Sequence, residues 1–261
     1  MSLLRLPEPF DFSLSVRRFH VFGTDLAYRL VDGVVHRAIG GRDVRIAPAE
    51  GGVDVEPLDD EARRVVLHML GAHYDLPAFY AWAEAPLRAV VERLHGFRPP
   101  LHADPFEALV TSITAQQISL FSAGAIRNRL IERLGERVGD AWAFPTRARV
   151  AEAGEGELVA AGLTRRKAEY AVALARSDDD LHELRARSDD EVRARIVAHR
   201  GLGPWTAEWF LARHLGRPHA WPAGDLVLRK AAATLYGVGV DDLGTMLHPF
   251  QNLSAQYLLA G

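Results

Sequence analysis

Near residue 58 the hydrophobic period of this chain changes, and the change divides it into two kinds of structure. Before that point "FHVFG", "LAYRLVDGVVHRAI", "DVRIAP" and "VDVEPL" are short β-branched runs broken by Gly, Asp and Pro. Such runs suit half-buried strands. Asp32-Gly33 separates two of them and is a strong two-residue hairpin signal. A further strand is expected around Phe12–Val16. From Leu58 onward "DDEARRVVLHML", "LPAFYAWAEAPLRAVVERLHG" and nearly everything after them space apolar residues three or four apart. That spacing builds one face of a helix.

Helix boundaries are also written into the chain. Asp104 is placed to cap a helix with Pro105 at its first position and Glu107 closing a capping box, and Ser188 with Glu191 repeats the device. Thr146 and Thr164 are further caps, and Gly135, Gly216 and Gly237 are stops. The expected architecture is α+β. A small N-terminal antiparallel sheet occupies 1–57, and an all-helical body of roughly eight to ten helices occupies 58–261.

Composition narrows the chemistry. With no cysteine there is no thiolate nucleophile, disulfide framework, iron–sulfur cluster or cysteine zinc site. The eleven histidines are scattered without a metal-binding pairing, so neither a metal nor a cofactor is expected. Among 31 basic residues only Lys167 and Lys230 are lysine, which leaves few amines for Schiff-base chemistry. The net charge of −3 excludes a broad basic coat, yet a local basic face still suits nucleic acid. No apolar run approaches the roughly 20 residues of a membrane span, and "MSLLRLPEPFDF" lacks a signal-peptide profile. A cytoplasmic, nucleoid-associated monomer is the expectation.

The stretch 189–215 reads as helix, "GLGP" turn, helix. Gly201 and Gly203 carry no Cβ, so the turn is able to approach another molecule closely. Amides at the start of the second helix suit a DNA phosphate, which backbone donors bind without reading sequence. Leu202 is expected to point inward and pin the two helices. An ordinary αα-hairpin with glycine for steric reasons fits the turn equally well. Asp225 follows Gly224 and precedes the apolar run "LVLRKAAATLYG". It is a good helix cap. Trp205, Trp209 and Trp221 lie within twenty residues of it, so a base-stacking pocket served by a carboxylate is the second reading.

At this point the sequence becomes familiar. "HRGLGPWTAEWFLARHLGRPHAWPAGDLVLRKA" closely resembles the helix-hairpin-helix DNA glycosylases, specifically the AlkA-type 3-methyladenine DNA glycosylase II branch. The resemblance extends to "DPFEALVTSITAQQIS" (104–119), "FPTRARVAEA", "GLTRRKAEYAVALA" and "DLPAFYAWAEAPLRAVVERLHGFRP" (75–99), and so to nearly the whole chain. It implies that Asp225 is the catalytic carboxylate. Trp205, Trp209, Gln116 and Phe250 match base-pocket positions, and Gln117 with Ile118 matches the wedge that fills the gap left by a flipped base. Phe250 and Gln251 stand where the family has tryptophan and arginine. Gly201, Gly203, Thr206, Arg165 and Arg166 match or suit phosphate contacts, and Arg127 and Arg129 are further candidates.

Members of the superfamily that also nick DNA form a Schiff base through a lysine in the second hairpin helix. Here that position is Trp205. Lys230, five residues past Asp225, is more than one helical turn from its site. The implied activity is therefore a monofunctional glycosylase for alkylated purines in double-stranded DNA that leaves an abasic site. Two rivals remain: a glycosylase for another purine lesion such as 8-oxoguanine or hypoxanthine, and a non-catalytic helix-hairpin-helix protein that binds damaged DNA.

Overall fold

The computed structural model describes residues 2–261. Five strands, β1 (Ser2–Arg5), β2 (Arg29–Val31), β3 (Val34–Ile39), β4 (Arg42–Ala49) and β5 (Gly52–Glu56), form an antiparallel sheet in the order β1-β5-β4-β3-β2. The β2–β3 turn places Asp32 at φ 48° and Gly33 at φ 80°. Two successive left-handed residues are what a two-residue hairpin with matched twist requires. Val35, Val44, Ile46, Val53 and Val55 bury one continuous core with Ala62, Val66 and Met69 of helix α2 (Asp60–Met69).

The strand expected at Phe12–Val16 is instead helix α1 (Phe12–Val16). Asp11 Oδ1 accepts the Leu14 amide at 2.8 Å, and the Ser15 hydroxyl donates to the Asp11 carbonyl at 2.6 Å. These local bonds override a five-residue alternation. The remaining strand of the sheet comes from Ser2–Arg5.

The body continues with α3 (Leu76–Trp82), α4 (Leu87–Arg93), α5 (Pro105–Ala115), α6 (Leu120–Leu134), α7 (Arg147–Ala160), α8 (Arg165–Arg176), α9 (Asp189–Ala198), α10 (Pro204–Phe210), α11 (Leu226–Ala231), α12 (Val240–Met246) and α13 (Gln251–Ala260). Asp104, Thr146, Thr164 and Ser188 cap as expected, and Ser188 with Glu191 completes its box. Between α6 and α7 a two-stranded ribbon, β6 (Glu136–Val138) and β7 (Ala141–Ala143), packs against β3. It was not expected, although its Gly139-Asp140 turn is a hairpin signal.

Glu107 departs from its expected role. Asp104 Oδ1 does accept its amide at 2.8 Å, but its carboxylate turns into the core. There it meets Arg37 Nη2 at 2.6 Å and Arg127 Nη2 at 2.5 Å. Burial alone would raise its pKa, but Arg37 and Arg127 outweigh burial and hold it at about 2. Arg127 also donates to Asp25 at 3.1 Å and to Thr111 at 2.6 Å. This cluster ties β3 and the loop before β2 to α5 and α6, which aligns the sheet with the helical body. Arg127 is thus a core ion-pair partner and not a phosphate contact.

Candidate active site

Asp225 caps α11. Its Oδ1 accepts the amides of Val227 at 2.8 Å and Leu228 at 3.3 Å, while Oδ2 takes part in neither bond. Capping thereby engages one oxygen and leaves the other outside both bonds. The loop before it is anchored from the hairpin. Glu208 of α10 accepts the Trp221 amide at 3.0 Å and binds Arg193 of α9 at 2.6 Å. Trp221 is bonded to the Val240 carbonyl at 3.0 Å and packs against Gly244, so it pins the loop to α12. Trp205 lies directly under the residue before Asp225, since a Cβ built on Gly224 would sit 3.0 Å from its ring. Exposed Leu226 and Val227 flank the carboxylate.

Trp205 and Trp209 meet edge to face at 6.3 Å, as their spacing predicts. Trp205 is half-buried, whereas Trp209 is only 4% exposed. The Arg213 guanidinium covers the Trp209 ring at 3.5 Å. Arg213 rides on a π-helical turn, Leu211–Leu215, that ends at left-handed Gly216. Burial holds its pKa well below the ordinary arginine value, Arg18 lowers it further, and Asp225 opposes both. Arg18 comes from the 3-10 turn Arg17–Phe19. Burial pushes it down to about 10 against the upward pull of Tyr28, Asp25 and Asp225. The sequence reading missed both arginines. Arg213 repeats the four-residue spacing of Trp205 and Trp209, but Arg18 has no local signal.

The hairpin turn matches expectation in part. Leu202 is buried between its helices. Gly201, at φ 85°, has the Tyr170 ring where a Cβ would go. Gly203 has extended backbone and open space beside it. Thr206 is buried, and its amide bonds the Gly203 carbonyl at 2.9 Å, so it offers nothing to a phosphate. Arg165 is exposed. Arg166 donates to the Tyr170 hydroxyl, and Arg200, also unanticipated, lies 5.9 Å from the Tyr170 ring centroid. Arg200 also pairs with Glu169 at 2.6 Å, so its charge is partly answered within the fold. Arg129 instead donates to the Ala161 carbonyl at 2.8 Å and closes the end of α7.

Gln116 bonds the Gly201 carbonyl through Nε2 at 3.0 Å, so its donor holds the α5–α6 loop to the hairpin. Lys167 secures the same loop by donating to the carbonyls of Thr114 at 2.9 Å and Gln116 at 2.6 Å. Beyond them Gln117 adopts φ 57°, and both Gln117 and Ile118 project to solvent. Leu120 and Phe121 continue an exposed apolar patch, with Phe22 from the N-terminal segment edge-on to Phe121 at 5.7 Å. Phe250 does not join the tryptophans. Its ring packs against Phe79 at 5.5 Å and Trp82 at 5.2 Å in the core under α11 and α13.

Cavities of about 360 and 280 Å³ lie elsewhere, one beside Asp11 and His95, the other beside Asp104 and Arg147. His36, Asp43 and Asp140 bring ligand atoms within 4.8 Å of one another, the right chemistry for a cation. Each is engaged: His36 with Asp43 at 3.0 Å, Asp43 with the Asp140 amide at 2.8 Å, and Asp140 with Arg29 at 3.0 Å.

The chain is 24% identical over 251 residues to a DNA-3-methyladenine glycosylase of Bacillus subtilis, covering 87% of this chain and 83% of that one. It is 34% identical over 187 residues to a probable bifunctional transcriptional activator/DNA repair enzyme AlkA of Mycobacterium tuberculosis, covering 67% of this chain but 37% of the longer relative. The structure of a 3-methyladenine DNA glycosylase from Archaeoglobus fulgidus superposes with a TM-score of 0.88 at 26% identity, covering 99% of this chain and 97% of that one. The HhH-GPD family model matches residues 110–246, which hold the α5–α6 loop, the hairpin and Asp225. The chain belongs to the HhH-GPD superfamily of base excision DNA repair proteins.

Proposed function

We propose that this chain is a monofunctional DNA glycosylase that hydrolyses the N-glycosidic bond of alkylated purines in double-stranded DNA and leaves an abasic site. The observation that carries the reading is Asp225, with one oxygen locked by two helix amides, the other spared, and Trp205 beneath its loop. The names of the Bacillus and Archaeoglobus relatives support the substrate class.

In this reading the exposed arginines at 165 and 166, with the Gly201–Gly203 turn, hold the DNA backbone. Ile118 and its apolar neighbours fill the gap left by the flipped nucleotide, a wider wedge than Gln117 alone. As the bond from C1′ to the base nitrogen breaks, its electron pair leaves with the base, and positive charge grows on the sugar. The Asp225 carboxylate stabilises that charge and takes the proton of the attacking water, whose hydroxide joins C1′. A cationic alkylated purine leaves as a neutral molecule and needs no acid.

Water serves as the nucleophile because no amine is placed to compete. Trp205 fills the second-helix position, Lys167 is bound to backbone carbonyls, and Lys230 is exposed in the last turn of α11. The reaction as written requires no metal or cofactor. No helix among the described residues is long and apolar enough to cross a membrane.

The test incubates methylated duplex DNA and single-lesion duplexes with wild type and Asp225→Asn, and scores strand breaks with and without hot alkali. Released methylated base and alkali-dependent breaks are expected from wild type, with a rate loss of roughly 10³-fold in the variant. Asparagine still caps the helix, so the variant should fold and bind. Breaks without alkali would overturn the monofunctional assignment. No excision with unchanged binding would make the protein a binder of damaged DNA.

A further inference from the structure

Two segments that the glycosylase reading sets against DNA, the α5–α6 loop and the hairpin turn, are gripped by one face of α8. Lys167 stands in the first turn of α8, whose N-cap is Thr164. A cation there meets the positive end of the helix dipole, and burial lowers the pKa of the ammonium as well. The side chain nonetheless donates to two carbonyls at the end of α5, Thr114 at 2.9 Å and Gln116 at 2.6 Å. Three residues on, the Tyr170 ring fills the space where a Cβ of Gly201 would stand. Gln116 Nε2 closes the triangle by donating to the Gly201 carbonyl at 3.0 Å. Residues three apart share a helix face, so α8 sets the spacing between the loop and the turn. What the ammonium holds is the peptide that leads into a strained residue. The Gln116 carbonyl belongs to the bond joining Gln116 to Gln117, and Gln117 lies at φ 57°. A side chain other than glycine keeps left-handed backbone only where its surroundings over-determine it. Here Lys167 and the Gln116–Gly201 bond fix the peptide before it.

We propose that Lys167 is a positioning residue for base flipping, which holds the Gln117–Ile118 wedge in its strained conformation at a fixed distance from the hairpin. This inference rests on the glycosylase reading above and assigns the group that orders its wedge. A wedge ordered beforehand loses little conformational freedom when it enters the duplex. Its work is confined to paired DNA, where the base must be drawn from the stack and its place filled. A lesion that is already unpaired, as in a one-nucleotide bulge, leaves no gap opposite a partner and asks little of the wedge. Lys167 therefore acts on the opening of the duplex and takes no part in breaking the glycosidic bond.

The experiment compares single-turnover excision of 7-methylguanine paired with cytosine and of the same base in a one-nucleotide bulge, by wild type, Lys167→Met and Lys167→Arg. Methionine keeps most of the apolar stem and removes the donors. The paired rate should fall about 20-fold in Lys167→Met, the factor expected when a strained conformation is no longer held, while the bulged rate stays within about threefold. Lys167→Arg keeps cationic donors and should stay within about fivefold of wild type on both substrates. A merely structural role lowers both rates alike. That outcome, an unchanged paired rate, or an arginine variant as defective as the methionine one would overturn the proposal. If Lys167→Met does not fold by circular dichroism, Lys167→Gln decides by the same ratio, with a paired-rate loss of about fivefold expected. Wild type that releases the bulged base but not the paired one overturns this inference and spares the glycosylase reading. Wild type that releases neither overturns both.

Discussion

Two pairs of arginines differ in what they face: Arg37 and Arg127 are buried, whereas Arg18 and Arg213 are half-buried. Arg37 and Arg127 share the Glu107 carboxylate, and each also stacks on an aromatic ring, Arg37 over Tyr28 at 4.4 Å and Arg127 over Phe144 at 4.8 Å. Their charges are answered within the fold. Arg18 and Arg213 repel each other and sense Asp225 without forming an ion pair to it. The first pair joins the sheet to the helical body, and of the second Arg213 lies against Trp209 of the hairpin. Paired burial serves architecture here, while the Arg213 guanidinium rests on the Trp209 ring without a counter-ion.

The strongest way to break the contrast is Glu107→Gln. Removing this carboxylate leaves buried Arg37 uncompensated and Arg127 with Asp25 alone, at a cost of about 3–5 kcal/mol. In a chain of this size that lowers Tm by roughly 10 °C, measurable by calorimetry. Activity per folded molecule should be retained, because Glu107 lies in the core and not with Asp225. A Tm within 2 °C or so of wild type would remove the architectural role.

Acid tests the same cluster from another side. The folded value of Glu107, about 2, lies below its ordinary 4.5. Its stabilisation is therefore complete above roughly pH 5 and is lost as pH falls towards 2. The amount is on the order of 3 kcal/mol. Urea midpoints taken between pH 6 and pH 3 should decline more steeply for wild type than for Glu107→Gln. Parallel declines would place the acid-sensitive group elsewhere.

The hairpin glycines sharpen the division on a smaller scale. Gly201→Ala forces a Cβ at φ 85° into the Tyr170 ring and should cost about 2 kcal/mol along with DNA affinity. Gly203→Ala enters open space with extended backbone, so stability should change by less than about 1 kcal/mol. Its methyl instead crowds whatever approaches the turn. DNA affinity lost in Gly203→Ala at nearly full stability would separate a contact from a scaffold position. Unchanged affinity would return the turn to an ordinary αα-hairpin.

What the sequence made legible follows from range. Caps, the Asp32-Gly33 hairpin, the αα-hairpin and the Trp205–Trp209 pair depend on residues two to four apart, and each appears where local chemistry puts it. Phe12–Val16 was misread because a five-residue alternation is weaker than an Asp11 cap. Glu107 was misread because a capping box and a buried ion pair begin from the same three residues, and only Arg37, seventy positions away, decides between them. The family resemblance points to Asp225 and Phe250 alike, and the fold caps α11 with the first while it packs the ring of the second against Phe79 and Trp82. Arg18 has no local signal, since only the fold brings the N-terminal turn within electrostatic reach of Asp225.

The smallest effect expected is the most discriminating. Arg213→Met removes a charge that no carboxylate balances, so the relief of burying it offsets what is lost. The lost guanidinium stack on Trp209 contributes about 0.5–2 kcal/mol, and a methionine thioether on the same ring returns about 0.3–1.5 kcal/mol. Stability measured by urea unfolding should therefore stay within about 1 kcal/mol of wild type. A loss as large as that of Glu107→Gln would mean that Arg213 is held by the fold after all. Near-neutral stability would show that the molecule keeps this arginine for something it does not itself contain.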